Sequence, residues 1–528
     1  MKKWSIVGIL AIAQFVMVLD STVMNVSISE VVKDLDTTVS GMQAAITFYT
    51  LTMASLMLIG AKLGAKWGLL KAFVIGSIIY GIGSFITSIS PNLPTLMLGW
   101  SFFEAIGAIL VIPAIAALVA VHYKGKDRVT AYAIIGGISG AAAAAGPLIG
   151  GFVTTYFSWR YVFLAETVIM LGVLVASRSF KPTAPSTKQP IDIPSAVLSA
   201  SGMCLLVFGM LQSKVWGWVT PITEPTINGK SIAPLGISLV AYLILVGITL
   251  LYFFYRRQAS LERQNKNPLI QVSMLKIPHL RSGLSVLMAQ YLIIGAIFFI
   301  VPIYLQMVLG LDALQTGMKL LPLSIALILF SVVGTKMVLK RSPRQIVRIG
   351  QVLLVFGAVF MLASVNKDLT GIPFGIAMFL AGAGLGLLAS QLGNINMSAV
   401  DESKSSEVGG LQGTSQNLGS SLGTALIGSV LMIALTSGFI ANVQASTLPS
   451  NVKDYVSTEV KTVQIVPAAS VESYAVQSGF SQQEAQEISS IYKESQLEGL
   501  KEALFFLVIV ALASIALSRN LPKTILKH

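Results

Sequence analysis

Three acidic residues lie inside long apolar stretches of this 528-residue chain: Asp20 in the first, Glu104 in the fourth and Glu166 in the sixth. A carboxyl group that is removed from water favours its neutral form, so it can take up and release a proton. We therefore interpret the three acids as candidates for proton transfer or for binding a charged ligand. A structural hydrogen bond between helices explains each of them as well, and Glu166 is also explained by a position near a helix end.

A second feature is the small-residue run GPLIGG at 146–151, within the fifth apolar stretch. Proline removes a backbone donor and glycine removes side-chain bulk, so the run predicts a kinked helix with a smooth face. Such a face suits two helical bundles that slide or seal against each other, although ordinary close packing of helices uses the same residues. The residues predicted to form this conformational gate are Gly146, Pro147, Gly150 and Gly151.

The remaining residues give no sign of an enzyme. The single cysteine, Cys204, excludes an intrachain disulfide, and His122, His279 and His528 are far apart in the sequence. No phosphate-binding loop of the kind that ATP-driven pumps carry is present. We therefore expect no metal site, no cofactor and no catalytic residue. The net charge of +13 does not indicate nucleic-acid binding, because most of the basic residues lie in short loops between apolar stretches.

The elements that must position the three acids are transmembrane helices. The chain is 54% hydrophobic and only 11% charged, which excludes a soluble enzyme, a coiled coil and a disordered regulator. A membrane-spanning helix needs about 20 apolar residues. Fourteen apolar stretches are of roughly that length or longer, and they lie at 5–28, 43–61, 72–89, 94–120, 129–153, 161–177, 194–212, 234–255, 283–308, 317–338, 346–365, 372–397, 409–440 and 501–518.

The topology follows from the count and from the positive charges. An even number of spans places both termini on one side of the membrane. If that side is cytoplasmic, its segments contain 26 of the 36 Lys and Arg residues, as the positive-inside rule requires. We therefore predict an all-α polytopic protein with fourteen transmembrane helices and both termini in the cytoplasm.

Two polar segments divide the chain into six helices, then two, then six. The predicted units are an N-terminal six-helix bundle, a cytoplasmic linker, an inserted helix pair, a basic cytoplasmic loop and a C-terminal six-helix bundle, at 1–180, 181–193, 194–255, 256–282 and 283–528. The C-terminal unit includes a polar segment, 441–500, which we predict to be an extracellular helical hairpin with a partner helix near 452–465. Ser481 followed by Glu484 is a capping box that favours this order over a disordered loop.

Several segments resemble the major facilitator superfamily, and in particular its fourteen-helix drug:proton antiporter family. They are LDSTVMNVSIS (19–29), the GPLIGG run, WRYVFL (159–164), YLQMVLGLDALQTGMKLLP (304–322) and LQGTSQNLGSSLGTALIG (411–428). The resemblance implies two six-helix bundles, an inserted helix pair, alternating access and efflux. It also implies that Asp20 and Asn25 belong to the first-helix motif and that the run from Gly146 to Gly151 is the antiporter motif.

The chain departs from that family at informative positions. Ala65 stands where the loop after the second helix usually has an acid, and Glu166 stands where an asparagine is usual. Ser101 and Glu104 stand where the fourth helix usually has arginine and glutamine. That arginine is thought to pair with the proton-carrying acid, so its loss questions the family's coupling scheme. The resulting N-terminal bundle is more acidic than usual, which suits a cationic substrate or additional proton sites.

The C-terminal bundle has no acid well inside a span, and its candidate cavity-lining groups are the neutral Gln290, Gln391, Asn394 and Gln416. A largely apolar cavity favours lipophilic or amphipathic ligands. We therefore predict a monomeric secondary transporter in the cytoplasmic membrane of a bacterium, surrounded by membrane lipids, that exchanges protons for lipophilic or cationic compounds. One alternative is a transporter of lipids or lipophilic metabolites with altered coupling. Another is a sensor or scaffold that does not transport.

Overall fold

The structure is a computed structural model that describes residues 4–37, 39–180, 190–227, 230–366, 371–401, 404–460, 463, 465–466 and 468–524. The first six helices are α1 (Ser5–Asp34), α2 (Val39–Trp67), α3 (Leu69–Ser88), α4 (Leu93–His122), α5 (Gly125–Tyr156) and α6 (Arg160–Ser177). A pair follows, α7 (Ile193–Trp216) and α8 (Leu239–Arg263). The rest are α9 (Pro278–Val308), α10 (Ala313–Met337), α11 (Pro343–Ser364), α12 (Gly371–Ser398), α13 (Ser405–Ala445), α14 (Ser450–Glu459), α15 (Ala468–Gln477) and α16 (Gln482–Leu517).

Within these described residues, fourteen helices are long and apolar enough to cross a membrane, namely α1 to α13 and α16. The predicted all-α class and the predicted number of spans are therefore confirmed. Between α7 and α8 the chain also forms a short antiparallel pair of strands, Thr226–Ile227 with Lys230–Ser231. Most of the predicted linker, residues 181–189, lies outside the described residues. Asp192 caps the N-terminus of α7 by accepting a hydrogen bond from the backbone amide of Ser195.

In the N-terminal half, α1 packs against α5 and α6, while α3 packs against α4 and α6. Glycines permit the closest approach, because a Cβ on Gly76 of α3 or on Gly107 of α4 would collide with the backbone of the facing helix. Small residues at such positions are what lets apolar helices approach in a membrane. As a result, the side chains of α1, α3, α4 and α6 converge in the interior of this half.

In the C-terminal half, α9 packs against α13, and α12 packs against both α10 and α11. Gly419 and Gly423 of α13 lie against the backbone of α9, and Gly384 of α12 lies against α11. The two halves meet where α5 contacts α10 and α12, and where α2 and α4 contact α13. The α7–α8 pair attaches to this assembly through α7, which contacts α2 and α13.

The polar segment before the last span is helical, as predicted. The Ser481–Glu484 capping box is formed, and α16 continues without a break from Gln482 into the membrane-spanning part. Its expected partner near 452–465 is α14, whose Val452 and Val456 are buried in a cluster with Tyr492. The structure adds a further short helix, α15, that also packs on α16. We call the side of the molecule with this segment the hairpin face, and the opposite side, with both termini, the terminal face.

A carboxyl cluster in the N-terminal bundle

Asp20, Glu104 and Glu166 come together in the interior of the N-terminal half. Their exposed fractions are 0%, 0% and 1%, and one carboxyl oxygen of each lies within 4.8 Å of the others. The three residues are contributed by α1, α4 and α6, so they meet only when these helices are packed. We call this group the carboxyl cluster.

Asp20 is positioned by aromatic residues. The indole Nε1 of Trp100 donates a hydrogen bond of 2.7 Å to Asp20 Oδ1. The ring of Tyr49 stacks on Trp100 with centroids 4.9 Å apart, and its side chain also interacts with Asp20. The second oxygen, Asp20 Oδ2, has no hydrogen-bond partner among the described residues.

Glu104 lies at the end of an irregular part of α4. Residues Met97–Glu104 form π-helix, a wider winding that is frequent at functional sites. The hydroxyl Oγ1 of Thr87 lies 2.9 Å from Glu104 Oε1 and also 2.9 Å from the carbonyl oxygen of Gly83. The other carboxyl oxygen, Glu104 Oε2, is buried without a partner among the described residues.

Glu166 has a similar environment on α6. Tyr80 donates a hydrogen bond of 3.2 Å to Glu166 Oε2, and the hydroxyl of Ser84 lies 3.1 Å from the same oxygen. Ser84 Oγ is also 3.1 Å from the carbonyl oxygen of Phe163. Glu166 belongs to the second turn of α6 and is buried, so it lies near a helix end but faces the interior of the bundle.

The hydrogen bonds fit protonated acids. Ser84 and Thr87 each have one hydroxyl proton but lie within hydrogen-bond distance of two acceptors. All these contacts are satisfied at once when the hydroxyl donates to the backbone carbonyl and a protonated carboxyl donates to the hydroxyl oxygen. Glu104 and Glu166 can both do this in their neutral forms.

Among the described residues, no cationic side chain pairs with the cluster. Lys62 is the only fully buried Lys or Arg among the described residues, and it pairs with Glu407. Ser101, at the position of the missing arginine, donates a hydrogen bond of 2.8 Å to the backbone oxygen of Ala45. Two carboxylates whose oxygens lie within 4.8 Å of each other repel by about 3 kcal/mol or more at an effective dielectric constant of about 20. The cluster must therefore hold protons, or a bound cation, for much of the time.

Similarity to known proteins identifies the family of this chain. The model of the Major Facilitator Superfamily matches residues 10–424. The chain belongs to the major facilitator superfamily. It is similar to the probable actinorhodin transporter of Streptomyces coelicolor, at 25% identity over 84% of this chain and 75% of that protein. It is also similar to the tetracenomycin C resistance and export protein of Streptomyces glaucescens, at 27% identity over 82% of this chain and 76% of that protein.

The fold agrees with this assignment. The solved structure of the human organic anion transporter MFSD10 aligns with a TM-score of 0.58 at 11% identity, over 98% of this chain and 100% of that chain. The predicted family resemblance is thus confirmed, and the protein is a multi-pass membrane transporter and not an enzyme.

The predicted cavity-lining residues of this transporter, Gln290, Gln391, Asn394 and Gln416, belong to the C-terminal half and not to the carboxyl cluster. Asn25 belongs to α1, but its side chain lies outside the described residues. Gln290 donates a hydrogen bond of 3.4 Å to the backbone oxygen of Leu385, and Gln391 donates one of 3.2 Å to that of Gly334. Asn394 accepts a bond of 3.1 Å from Ser398. Gln416 is half-buried on α13.

Gln290 and Gln391 are buried, with exposed fractions of 4% and 3%, and each joins two helices of the C-terminal half. In this conformation both act as interhelix hydrogen-bond donors, which is not the cavity-lining position that the sequence predicts. An amide at such a position satisfies a backbone group in an environment without water.

The glycines predicted to form the gate pack mainly against α1. A Cβ on Gly146 would collide with Thr22, and one on Gly150 would touch Val23. Both of these residues belong to α1, so this glycine face packs within its own bundle. The backbone around Pro147 and Leu148 reaches the other half, at Gly317 of α10. Gly151 is buried on the same helix.

The glycines of α5 that do face the other half are Gly136, Gly137 and Gly140, one to three turns earlier. A Cβ at these positions would press on Ala389, Ser331 and Leu327 of the C-terminal half. The sequence signal was present in the segment GGISG (136–140). The family resemblance points to the neighbouring GPLIGG run and not to this segment.

An ion pair joins the two halves near the terminal face. Lys62 Nζ on α2 lies 3.3 Å from Glu407 Oε1 in the first turn of α13, and their side chains are 2% and 13% exposed. The second oxygen of Glu407 accepts a hydrogen bond of 3.2 Å from the backbone amide of Gln271. A negative charge in the first turn of a helix also interacts favourably with the helix dipole. We call this pair the interbundle ion pair.

Proposed function

We propose that this transporter exports lipophilic or amphipathic cations in exchange for protons, by alternating access, as a monomer in the cytoplasmic membrane of a bacterium. The carboxyl cluster is the observation that supports this function. Three buried acids without a neighbouring positive charge require protons or a cation as their counter-charge. A transporter that binds protons and the cation in turn at one site couples the movement of one to the movement of the other.

The hydrogen bonds of Ser84 and Thr87 support the proton-loaded form. Both hydroxyls are satisfied when Glu166 and Glu104 carry protons, as described above. Loss of these protons leaves carboxylates that attract a cationic substrate. The relatives named as antibiotic resistance and export proteins favour an outward direction of transport.

The interface between the halves supports alternating access. Near the terminal face the halves are joined by the interbundle ion pair and by Ser406, which donates a hydrogen bond of 2.6 Å to the backbone oxygen of Ala61. Toward the hairpin face the contact is made by small residues, with Gly317 of α10 against Pro147 and Leu148 of α5. Rocking of one half on the other would break one set of contacts and keep the other.

Flux in proteoliposomes tests the proposal. The purified full chain is reconstituted, and transport of ethidium is followed with and without an imposed pH gradient while an enclosed pH dye reports protons. We expect the gradient to drive ethidium uphill and ethidium to drive protons in the opposite direction. Asp20→Asn keeps the shape of the side chain but cannot titrate, so it should abolish both movements.

Glu30→Gln is the matched control, because Glu30 lies on the same helix as Asp20 but is exposed and paired with Lys33. It should behave like the wild type. If neutral lipophilic compounds are transported at a rate that does not depend on the pH gradient, a lipid or metabolite transporter with altered coupling would be favoured. No flux of any compound through a well-folded protein would favour a sensor or scaffold.

A further inference from the structure

An apolar crevice opens on the side of the N-terminal half, between α1, α5 and α6. Its volume is about 620 Å³, which lies in the range of pockets that bind drug-sized molecules. Its walls include Phe15 and Leu19 of α1, Val153 of α5, and Val162 and Glu166 of α6. We call it the lateral crevice.

The mouth of the lateral crevice faces the lipid. Phe157 and Tyr161, which line it, are 66% and 57% exposed, and they belong to helix ends near the hairpin face. In a membrane-spanning bundle, apolar side chains exposed at this position contact acyl chains. The crevice therefore connects the lipid phase with the interior of the bundle.

The inner wall contains one ionisable group, the carboxyl group of Glu166. Glu166 is 1% exposed, and its Oε1 has no hydrogen-bond partner among the described residues. The other lining residues are apolar, apart from the hydroxyl group of Tyr161. An apolar space with one acidic side chain in its inner wall matches a molecule with a bulky apolar body and a single positive charge.

We propose that the lateral crevice is a binding site for an amphipathic cation, with the apolar body in the crevice and the positive group at Glu166. This inference deepens the proposed function and rests on it. It gives the substrate a route between the lipid phase and the carboxyl cluster that does not pass through the space between the two halves.

Binding at this site exchanges a proton for the cation. The proton on Glu166 leaves for water or for a neighbouring carboxyl group, and the cation replaces it as the counter-charge. The titratable groups that face Glu166 are Tyr80 of α3, Asp20 of α1 and Glu104 of α4. Because protons compete with the cation, affinity should fall as the pH is lowered.

Equilibrium binding of tetraphenylphosphonium to the full chain in lipid nanodiscs tests the site. This probe has a bulky apolar body and a fixed positive charge, and tetraphenylborate has nearly the same shape with a negative charge. We expect the cation to bind and the anion not to bind. Val153→Trp, which fills the crevice, and Glu166→Gln, which removes the charge, should each lower the affinity for the cation by about tenfold or more.

Leu171→Trp is the matched control, because Leu171 lies on α6 with its side chain 58% exposed and outside the crevice lining. It should bind the probe like the wild type. If Val153→Trp does not fold, Ala165→Leu fills the same crevice with a smaller side chain. The pH dependence of binding should be present in the wild type and absent in Glu166→Gln.

Three results would overturn the proposal. Equal binding of the anion and the cation would show an unselective apolar crevice, such as one that holds an acyl chain. Loss of binding in Glu166→Gln but not in Val153→Trp would place the cation elsewhere in the carboxyl cluster. Unchanged affinity in Glu166→Gln would remove the carboxyl group from recognition. These experiments measure binding and not flux, so a negative result would reject this binding site without rejecting proton-coupled export.

Discussion

The interiors of the two halves differ in chemistry although both halves consist of apolar helices. The N-terminal half buries three carboxyl groups at one point. In the described part of the C-terminal half, from α9 to α16, no Asp, Glu, Lys or Arg is fully buried. Its larger buried polar side chains are amides, namely Gln290, Gln351, Gln391, Asn394, Asn396, Gln412 and Gln496.

The hydrogen bonds show what this difference means. Gln351 donates a bond of 2.7 Å to the backbone oxygen of Ser514, so an amide of α11 fastens α16. Each acid of the N-terminal half instead keeps one oxygen without a partner among the described residues. In the C-terminal half the amide oxygens of Gln290, Gln351 and Gln496 are also unpartnered there, as are both amide atoms of Asn396. The difference between the halves is therefore that the acids can gain or lose a proton, whereas the amides cannot.

Substitution of Glu104 should have the largest effect, and it tests the difference between the two halves most directly. We expect Glu104→Gln to flatten the pH dependence of transport for every substrate, because glutamine keeps the contact to Thr87 but cannot exchange a proton. Transport driven by a pH gradient should fall to near the background of protein-free liposomes. The measurement is the initial rate of uptake across a range of pH values, for one cationic and one neutral compound.

Gln290→Glu is the reciprocal change for Glu104→Gln, since it places a carboxyl group inside the neutral half. It should create no coupling when combined with Glu104→Gln. A Glu104→Gln protein that loses cations but still transports neutral compounds with normal pH dependence would contradict proton transfer by Glu104. Wild-type behaviour with both compounds would mean that Glu104 is only a structural hydrogen-bonding group.

A smaller effect is expected where the halves meet at the interbundle ion pair. Breaking a buried ion pair costs about 3–5 kcal/mol when the remaining charge has no other partner. Glu407 keeps its hydrogen bond from Gln271 in a Lys62→Met variant, so we expect a shift of about 2 kcal/mol toward the state that is open at the terminal face. Spin labels at the terminal-face ends of α2 and α13 would report that shift as longer distances.

The charge-swapped double variant, Lys62→Glu with Glu407→Lys, serves as the control for this pair. It retains the pair but places a positive charge at the N-terminus of α13, so it should restore the distances only in part. Distances unchanged in Lys62→Met would show that the pair does not hold the terminal face closed.

A third prediction distinguishes the glycines of α5 that face the other half from those that pack within their own half. Gly140 presses on Leu327 of the other half, whereas Gly150 packs on Val23 of its own half. Overpacking costs about 1–3 kcal/mol. Gly140→Leu should therefore penalise the closed interface and lower turnover, with little change in thermal stability. Gly150→Leu should lower thermal stability instead, and the opposite pattern would return the gate to the GPLIGG run.

The fold was largely predictable from the sequence, because a membrane span requires only length and apolar composition. The boundaries of the helices were less predictable. The last span was expected at 501–518, and α16 contains it but begins at Gln482, directly after the capping box that the sequence predicts. The additional helix α15 carried no strong cap or apolar stretch that would reveal it.

The site was predictable in its members but not in its assembly. Each acid was visible as a charge in an apolar stretch, yet Asp20 and Glu104 are 84 residues apart in the sequence. Their convergence depends on the glycines that bring α3 and α4 together. Gln290 and Gln391 form hydrogen bonds between helices in this structure, and the sequence does not show whether a polar side chain faces a cavity or a neighbouring helix. Their role in lining a cavity stays a prediction.

The smallest expected effect is in the neutral half, at Gln391. This amide donates to the backbone oxygen of Gly334 at 3.2 Å and to the hydroxyl of Ser390 at 3.0 Å. Gln391→Leu keeps most of the volume and loses these bonds, so it should lower the free energy of unfolding by about 1 kcal/mol. The pH dependence of transport should be unchanged, because this amide has no proton to exchange.

Thermal unfolding in detergent and the pH profile of flux would measure the two consequences of Gln391→Leu separately. Gln391→Glu is the sharper variant, since it introduces a carboxyl group at the same place with the same length. If the neutral half only supports the carboxyl cluster, Gln391→Glu should destabilise the protein without changing the pH at which transport is half-maximal. A displaced pH profile in Gln391→Leu would show that the C-terminal half takes part in proton coupling, and the contrast between the two halves would no longer hold.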